Sequence, residues 1–252
     1  MTMKALLNGL VLAALALTSA RSAAAQTTDE IIEKYLTAMG GRAALGKLTS
    51  RSTAGTMTLS TPAGEISGPI ETLNQRPNKI RTLINMDLTS LGAGPMVVDQ
   101  RFDGTTGYAL DSLRGNHDIT GGQLEAMKNS EFPSPFLSYK ERGVTVELSG
   151  KEKVGEREAY VLVFKPKTGA SSRHFIDAES YLPIKLVQKL DIPELGEVEQ
   201  TTEFSDFREV DGVKLPFKLK GSSAVQNFTV TVTKVEHNKK IDESLFSKPV
   251  EK

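Results

Sequence analysis

Residues 213–220 (VKLPFKLK) and 228–233 (FTVTVT) decide the fold, because apolar and polar side chains alternate along both segments. A period of two places successive side chains on opposite faces of a β-strand. One face of each strand is therefore apolar and the other polar, which is typical of an antiparallel sheet with one packed side. The pair Asp211-Gly212, just before the first segment, predicts a tight hairpin turn.

The same alternation is found in the segments that precede these two strands. Further strands are predicted at residues 55–59, 65–71, 79–86, 96–102, 107–110, 144–148, 159–164, 173–176, 184–190 and 198–207. Turn signals such as Asp103-Gly104 separate several of them. The pattern predicts a mainly β protein with short α segments, built on a curved antiparallel sheet of roughly ten or eleven strands.

Few helices accompany the sheet. Thr27 and Glu30 form a capping-box pair, residues 31–39 carry apolar side chains at helical spacing, and Gly40-Gly41 ends the run. A further helical turn or two is predicted at residues 42–48. So short a hairpin cannot cover the whole apolar face of the sheet. The curved sheet therefore either closes into a barrel around a packed core or encloses a cavity.

A second helical region is predicted over residues 121–130, followed by the Pro-rich loop 132–137 (FPSPFL). Two prolines keep this loop extended, so that it presents Phe132, Phe136 and Leu137. The loop either crosses over the core or forms a partly exposed hydrophobic lid above an apolar mouth.

The N-terminus predicts export. A basic residue precedes the apolar run 5–17, which is shorter than the roughly 20 residues that a membrane-spanning helix needs. Ala23 and Ala25 are the small residues that signal peptidase accepts. We expect residues 1–25 to be a cleaved signal peptide and residues 26–252 to be a single periplasmic domain. A retained membrane anchor is the alternative.

Composition excludes several function classes. The 252-residue chain contains no Cys, so disulfides, thiolate metal sites, Cys nucleophiles and lipid attachment to an N-terminal Cys are ruled out. It has 31 basic and 31 acidic residues, and removal of the two basic residues of the signal peptide leaves a charge near −2. Long-range attraction to nucleic acid is therefore not expected.

Catalytic motifs do not stand out. His117, His174 and His237 lack the spacing of metal ligands, and surface or rim positions are expected for them. The sequence has no phosphate loop, no nucleophile elbow and no dinucleotide-binding glycine motif. We expect no catalytic residue, no metal and no cofactor. A hydrolase or metal site built from distant residues remains the alternative.

Several segments together resemble the LolA-like family of exported outer-membrane lipoprotein-sorting proteins. They are residues 74–81 (NQRPNKIR), 100–104 (QRFDG), 175–183 (FIDAESYLP) and 204–216 (FSDFREVDGVKLP), with the 29–41 helix and the 241–246 (IDESLF) ending. The resemblance covers nearly the whole mature chain. The hairpin at 39–45 and the long insert at 108–137 indicate a divergent branch of the family.

The resemblance implies an incomplete antiparallel β-barrel of about eleven strands whose concave face is covered by helices. It also implies an apolar cavity that receives acyl chains. The expected function is a non-catalytic periplasmic carrier of a lipid or of lipoprotein acyl chains, acting in transport to the outer membrane. An envelope protein is a further expected partner, and contact with the membrane would be transient.

Strand parity selects the residues expected to line the cavity, since a register error of one residue would turn each side chain to solvent. They are Met57, Ile66, Ile70, Ile80, Ile84, Leu186, Phe204, Phe217, Phe228 and Val230, with Phe132, Phe136 and Leu137 as the lid.

A different function would use the outer surface of the sheet. Lys214, Lys218 and Lys220 form a basic stripe, which Lys185 and Lys189 extend if the register allows. Such a stripe suits an envelope scaffold or assembly factor that meets an acidic partner or anionic headgroups. A solvated outer face, protected against edge pairing, explains the same lysines.

Overall fold

Thirteen antiparallel strands form one sheet in the computed structural model, which describes residues 26–62, 64–192 and 196–249. Within these residues the two edge strands do not pair with each other, so the sheet stays open. The predicted fold class, a mainly β incomplete barrel with short helices, is confirmed, and the sheet has thirteen strands where about eleven were expected. The predicted signal peptide, residues 1–25, lies outside the described residues.

The strands follow a simple order. They are β1 (Ser50–Thr61), β2 (Gly64–Gln75), β3 (Lys79–Asp87), β4 (Pro95–Phe102), β5 (Gly107–Asp111), β6 (His117–Ile119), β7 (Thr145–Val154), β8 (Arg157–Lys165), β9 (Ser172–Asp177), β10 (Pro183–Ile192), β11 (Gly196–Val210), β12 (Val213–Ser223) and β13 (Asn227–His237). Strands β1 to β6 form one meander and β7 to β13 another, and pairing of β1 with β13 joins them. Edge strand β6 is not predicted from the sequence, because three residues are too few to show alternation.

Among the described residues, three α-helices accompany the sheet: α1 (Thr28–Ala38), α2 (Gly41–Lys47) and α3 (Gly121–Asn129). The predicted capping box is confirmed. The Glu30 backbone N–H donates to Thr27 Oγ1 at 3.2 Å, and the Thr27 N–H donates to Glu30 Oε2 at 2.9 Å. These bonds satisfy N–H groups that have no partner within the helix.

The main hydrophobic core lies between α1 and the concave face of the sheet. Helix α1 buries Ile31, Ile32 and Leu36 in one cluster with Leu215 and Phe217 of β12. The loop after α3 contributes further buried rings to this core. This core fills the part of the concave face that α1 covers.

The C-terminal segment crosses the opposite, convex face. A 3₁₀ turn at Glu243–Phe246 contacts β3 and β4, and Arg101 donates from Nη1 to the Ser247 carbonyl at 3.3 Å. Beneath it, buried Asp99 accepts hydrogen bonds from Arg81 and Arg101 at 2.7 and 2.8 Å. Burial raises the pKa of Asp99, but the bonds from the two guanidinium groups outweigh that effect and hold it below its usual value.

Gly40 joins α1 to α2 in a conformation that favours glycine, with φ at +121°, and a Cβ atom there would lie 2.3 Å from the Gly212 carbonyl oxygen. We expect Gly40→Ala to lower the free energy of unfolding by at least about 2 kcal/mol. Gly46→Ala is the matched control, because Gly46 lies in α2 with no atom near the added methyl group.

The control should raise stability by about 0.5–1 kcal/mol through helix propensity. Denaturant unfolding measures both changes. Equal stability of Gly40→Ala and the parent protein would contradict the packing described at this junction.

Candidate binding cavity

Helix α3 lies across the concave face and is flanked by two cavities of about 620 and 570 Å³. Both volumes fall within the range typical of small-molecule sites. The two cavities share a wall made of α3 with its C-terminal end and of β10. The shared residues are Gly122, Ala126, Ser130, Gln188, Lys189 and Asp191.

Helix α3 is held by polar contacts rather than by packing. None of its residues is buried, whereas α1 buries Ile31, Ile32, Tyr35 and Leu36. At its start, the Gly122 N–H donates to Asp191 Oδ2 at 3.3 Å. Toward its end, the Asn129 side-chain amide donates to the Thr168 carbonyl at 2.7 Å, and Thr168 Oγ1 donates to the Glu125 carboxylate at 2.5 Å. Arg142 donates to the Asn129 carbonyl at 3.1 Å. Few apolar contacts would be lost if α3 moved away from the sheet.

The register places all ten predicted lining residues on one face of the sheet. Met57 is the direct neighbour of Val230, Ile70 of Ile84, and Leu219 of both Phe204 and Val230, which fixes the parity of the strands between them. This is the face on which α1 and α3 lie, because it carries Phe217, which shares the main core with α1, and Leu186, which lines the larger cavity beside α3.

These ten residues do not share one environment. Met57 and Ile66 are buried in a second apolar cluster, with Ile70, Ile84, Phe228 and Val230 packed around them. Phe217 belongs to the main core, and Phe204 is half-buried. Leu186 lines the larger cavity, and Ile80 and Phe228 line the second one. Their contact with a ligand stays a prediction.

The predicted lid loop is more enclosed than the sequence suggests. Phe132 and Phe136 are 4% and 1% exposed and belong to the main core, and Leu137 packs against it half-buried. The Phe136 ring meets Tyr35 edge-on, with centroids 5.2 Å apart. The two prolines predict an extended loop, but they do not indicate that α1 packs against these rings. Whether they gate the cavity stays a prediction.

His174 lies in the wall of the larger cavity, packed against the rings of Phe136 and Phe164 with centroids at 4.9 and 5.7 Å. Its Nε2 is 3.1 Å from Ser172 Oγ. Burial lowers the pKa of His174 to about 4, so the ring is neutral near pH 7. His237 is buried, with Nδ1 3.0 Å from Asp211 Oδ2, and therefore does not occupy the surface or rim position expected from the sequence.

The sequence predicts an apolar cavity, but polar side chains also line the observed cavities. Strands β3, β4, β10 and β11 contribute Thr82, Gln100, Gln188 and Gln200 to the second cavity. Gln188 also reaches the larger one, together with Ser172. Single-strand alternation indicates which face a residue occupies, but it does not show that polar positions of several strands meet.

The lysines of the outer face alternate with acidic residues. Lys220 of β12 is the direct neighbour of Glu203, which is in turn the neighbour of Lys185 on β10. Lys189 donates to Glu197 at 2.6 Å. The register that would join the lysines therefore places carboxylates between them, and no uniform basic stripe forms.

The described residues contain no group of three or more His, Asp or Glu side chains that could hold a metal ion. None of the helices described above has the length and apolar character needed to cross a membrane.

Comparison of the sequence with protein-family models and with curated proteins gives no match. Solved structures do match the fold. A LolA superfamily protein from Nitrosomonas europaea has a TM-score of 0.54 and 12% identity, with 89% of this chain and 99% of that chain covered. A DUF1329 family protein from Desulfovibrio piger has a TM-score of 0.56 and 11% identity, with coverage of 88% and 98%.

A domain from Vibrio parahaemolyticus, described as an outer-membrane lipoprotein-sorting protein, has a TM-score of 0.50 and 12% identity, with coverage of 86% and 94%. These identities are low, so the comparisons establish the fold alone. The LolA-like architecture expected from the resemblance is confirmed.

Because the pKa of His174 in the folded protein is about 4, below the ordinary value of 6.5, protons bind the unfolded chain more readily. The free energy of unfolding should therefore fall as the pH drops from about 6.5 to 4, with a contribution of about 1–3 kcal/mol from His174. We expect His174→Leu to remove this contribution.

His117→Leu is the matched control and should keep the pH dependence, because it leaves His174 in place. Denaturant unfolding at several pH values measures the slopes. Identical slopes for His174→Leu and the parent protein would contradict the enclosed, neutral imidazole.

Proposed function

We propose that this chain, which has the LolA-like fold, is a non-catalytic carrier that holds a lipid or the acyl chains of a lipoprotein. The observation that carries the proposal is a concave face with an apolar cluster and adjoining cavities, covered by a helix without any buried residue. Ile80, Leu186 and Phe228, which line these cavities, are the proposed ligand contacts.

Reversible binding requires partial enclosure of the chain. Burial of acyl chain is worth about 0.8 kcal/mol per CH₂, so a sealed cavity would hold long chains almost irreversibly. The polar tethers of α3 fit a cover that opens, since its contacts with Asp191 and Thr168 exchange readily for contacts with water. In this proposal α3 is the moving cover, and Phe132, Phe136 and Leu137 form the fixed part of the gate.

The proposed cellular role is based on the expected signal peptide and on the fold. A carrier of this kind would act in the periplasm, take its cargo from one membrane and deliver it to the outer membrane through transient contacts. The structural likeness to the Vibrio parahaemolyticus domain is in keeping with that role. The alternating charges of the outer face give no support to a scaffold based on a basic stripe.

The most direct test is mass spectrometry of an organic extract from mature protein purified without detergent. We expect a co-purifying lipid, and we expect the protein to bind a fluorescent fatty acid that this lipid displaces. An extract without lipid, together with no binding of the fluorescent fatty acid, would contradict the carrier function.

The gate is tested on the same assay with Phe132→Ala/Phe136→Ala. Each buried ring contributes about 3–5 kcal/mol to stability, so the double variant will be destabilised and its folded fraction must be measured. Phe175→Ala is the matched control, because Phe175 is also 1% exposed but belongs to a separate cluster outside the main core.

We expect the folded fraction of the double variant to release the fatty acid faster than the parent protein, while Phe175→Ala retains it normally. If both variants lose stability and both retain the fatty acid, the phenylalanines act only as core residues.

A further inference from the structure

Two rows of neutral polar side chains cross the concave face. In the first meander, Thr53, Thr72, Thr82 and Gln100 are direct neighbours on β1, β2, β3 and β4. In the second meander, Ser172, Gln188, Gln200 and Ser223 are direct neighbours on β9, β10, β11 and β12. Each row continues across four strands, on the face that also carries the main core and the second apolar cluster.

The two rows meet at the second cavity beside α3. Thr82 and Gln100 from one row, and Gln188, Gln200 and Ser223 from the other, line this 570 Å³ space. Ile80 and Phe228 provide its apolar wall. The site therefore combines amide and hydroxyl groups with apolar contacts, which suits an amphiphile better than a bare hydrocarbon chain.

The amides keep most of their hydrogen-bonding capacity. Among the described residues, the side chains of Gln100 and Gln188 form no hydrogen bond, and Gln200 donates only to Thr202 Oγ1 at 3.5 Å. Each glutamine amide has two N–H donors and a carbonyl acceptor. Groups that both donate and accept, such as the hydroxyls of a ligand, satisfy such amides on both sides.

Charged residues around the second cavity are engaged within the protein. Arg114 pairs with Asp111 at 2.8 Å, Lys189 with Glu197 at 2.6 Å, and Asp191 accepts the Gly122 N–H at 3.3 Å. Arg51 also lies on the concave face, but its guanidinium stacks on the Phe132 ring at 5.2 Å and it does not line either cavity beside α3. An ionic headgroup would lose its hydration here without gaining a free counter-charge.

An apolar compartment adjoins this site. A third cavity of about 510 Å³ is lined by Met57, Leu59 and Ile84 of the second apolar cluster and by Met96. It shares Arg114, Val225 and Gln226 with the second cavity. A molecule with its polar end between the two rows could therefore extend its chain along Met57 and Ile84.

We propose that the ligand is an amphiphile with a neutral, hydroxyl-bearing headgroup, which Gln100, Gln188 and Gln200 hydrogen-bond while its acyl or alkyl chain occupies the adjoining apolar compartment. This inference rests on the proposed carrier function and specifies its ligand. The headgroup can be a glycan or a glycerol, since both present hydroxyl groups.

The test compares probes with the same twelve-carbon chain, all used below their micellar concentrations. They are dodecyl maltoside, monododecanoylglycerol, dodecylphosphocholine and dodecanoate, and calorimetry or displacement of the fluorescent fatty acid gives each Kd. We expect one or both hydroxylated probes to bind at least tenfold more tightly than dodecanoate and dodecylphosphocholine. The ratio between the two hydroxylated probes distinguishes a glycan from a glycerol headgroup.

Gln188→Leu/Gln200→Leu should weaken binding of the preferred hydroxylated probe at least tenfold and leave dodecanoate binding unchanged or stronger. Thr201→Val is the matched control, because Thr201 follows Gln200 on β11 and its side chain points to the opposite face. It should bind every probe as the parent protein does. Circular dichroism confirms that each variant is folded.

Equal binding of all four probes, or no change in the glutamine variant, would overturn the headgroup proposal and leave the carrier function standing. Tightest binding of dodecanoate would also overturn it and would favour an anionic headgroup near Arg51. Failure of every probe to bind would count against the carrier function itself.

Discussion

The pairing of β1 with β13 is the constraint on which the rest of the structure depends. It joins two meanders that would otherwise be separate sheets and continues from Ser60 opposite Asn227 to Arg51 opposite His237. The register shifts at Gly55, where a Cβ atom would lie 2.4 Å from the Thr231 carbonyl oxygen. A bulge at this point bends the strand and increases its twist, which helps the thirteen strands to curve around one concave face.

The two helices α1 and α3 cover the concave face in different ways. Under α1 it is filled by a packed core in which Tyr35, Phe136 and Phe217 take part. Helix α3, in contrast, lies beside two cavities and is held in place by hydrogen bonds. Buried apolar contacts are therefore concentrated under α1, and the proposed binding region lies beside the helix that has no buried residue.

Much of this architecture can be predicted from the sequence, because alternation is a local property. The strands, the Thr27 and Glu30 capping box and the common face of Met57, Ile84 and Phe228 all follow from spacing within single segments. The edge strand His117–Ile119 has only three residues, which are too few to show alternation, so it could not be predicted.

Features that depend on pairing between strands could not be predicted in the same way. The alternation of Lys220, Glu203 and Lys185, and the row formed by Gln188 and Gln200, exist only once the register is known. The enclosure of Phe136 likewise depends on the position of α1, which is distant in sequence. Tyr35 of α1 and its hydrogen-bond partner Ser134, which lies beside Phe136 in the loop, are 99 residues apart along the chain.

We propose that α3 is a movable cover, whereas α1 is part of the rigid core. Hydrogen–deuterium exchange of residues 26–252, with and without a saturating amphiphile, tests this proposal most directly. We expect the amides of α3 to exchange at least about 100-fold faster than those of α1, because local opening of α3 breaks few contacts, and we expect ligand to slow α3 alone. Exchange of α3 as slow as that of α1 in the ligand-free protein, and unchanged by ligand, would contradict the account.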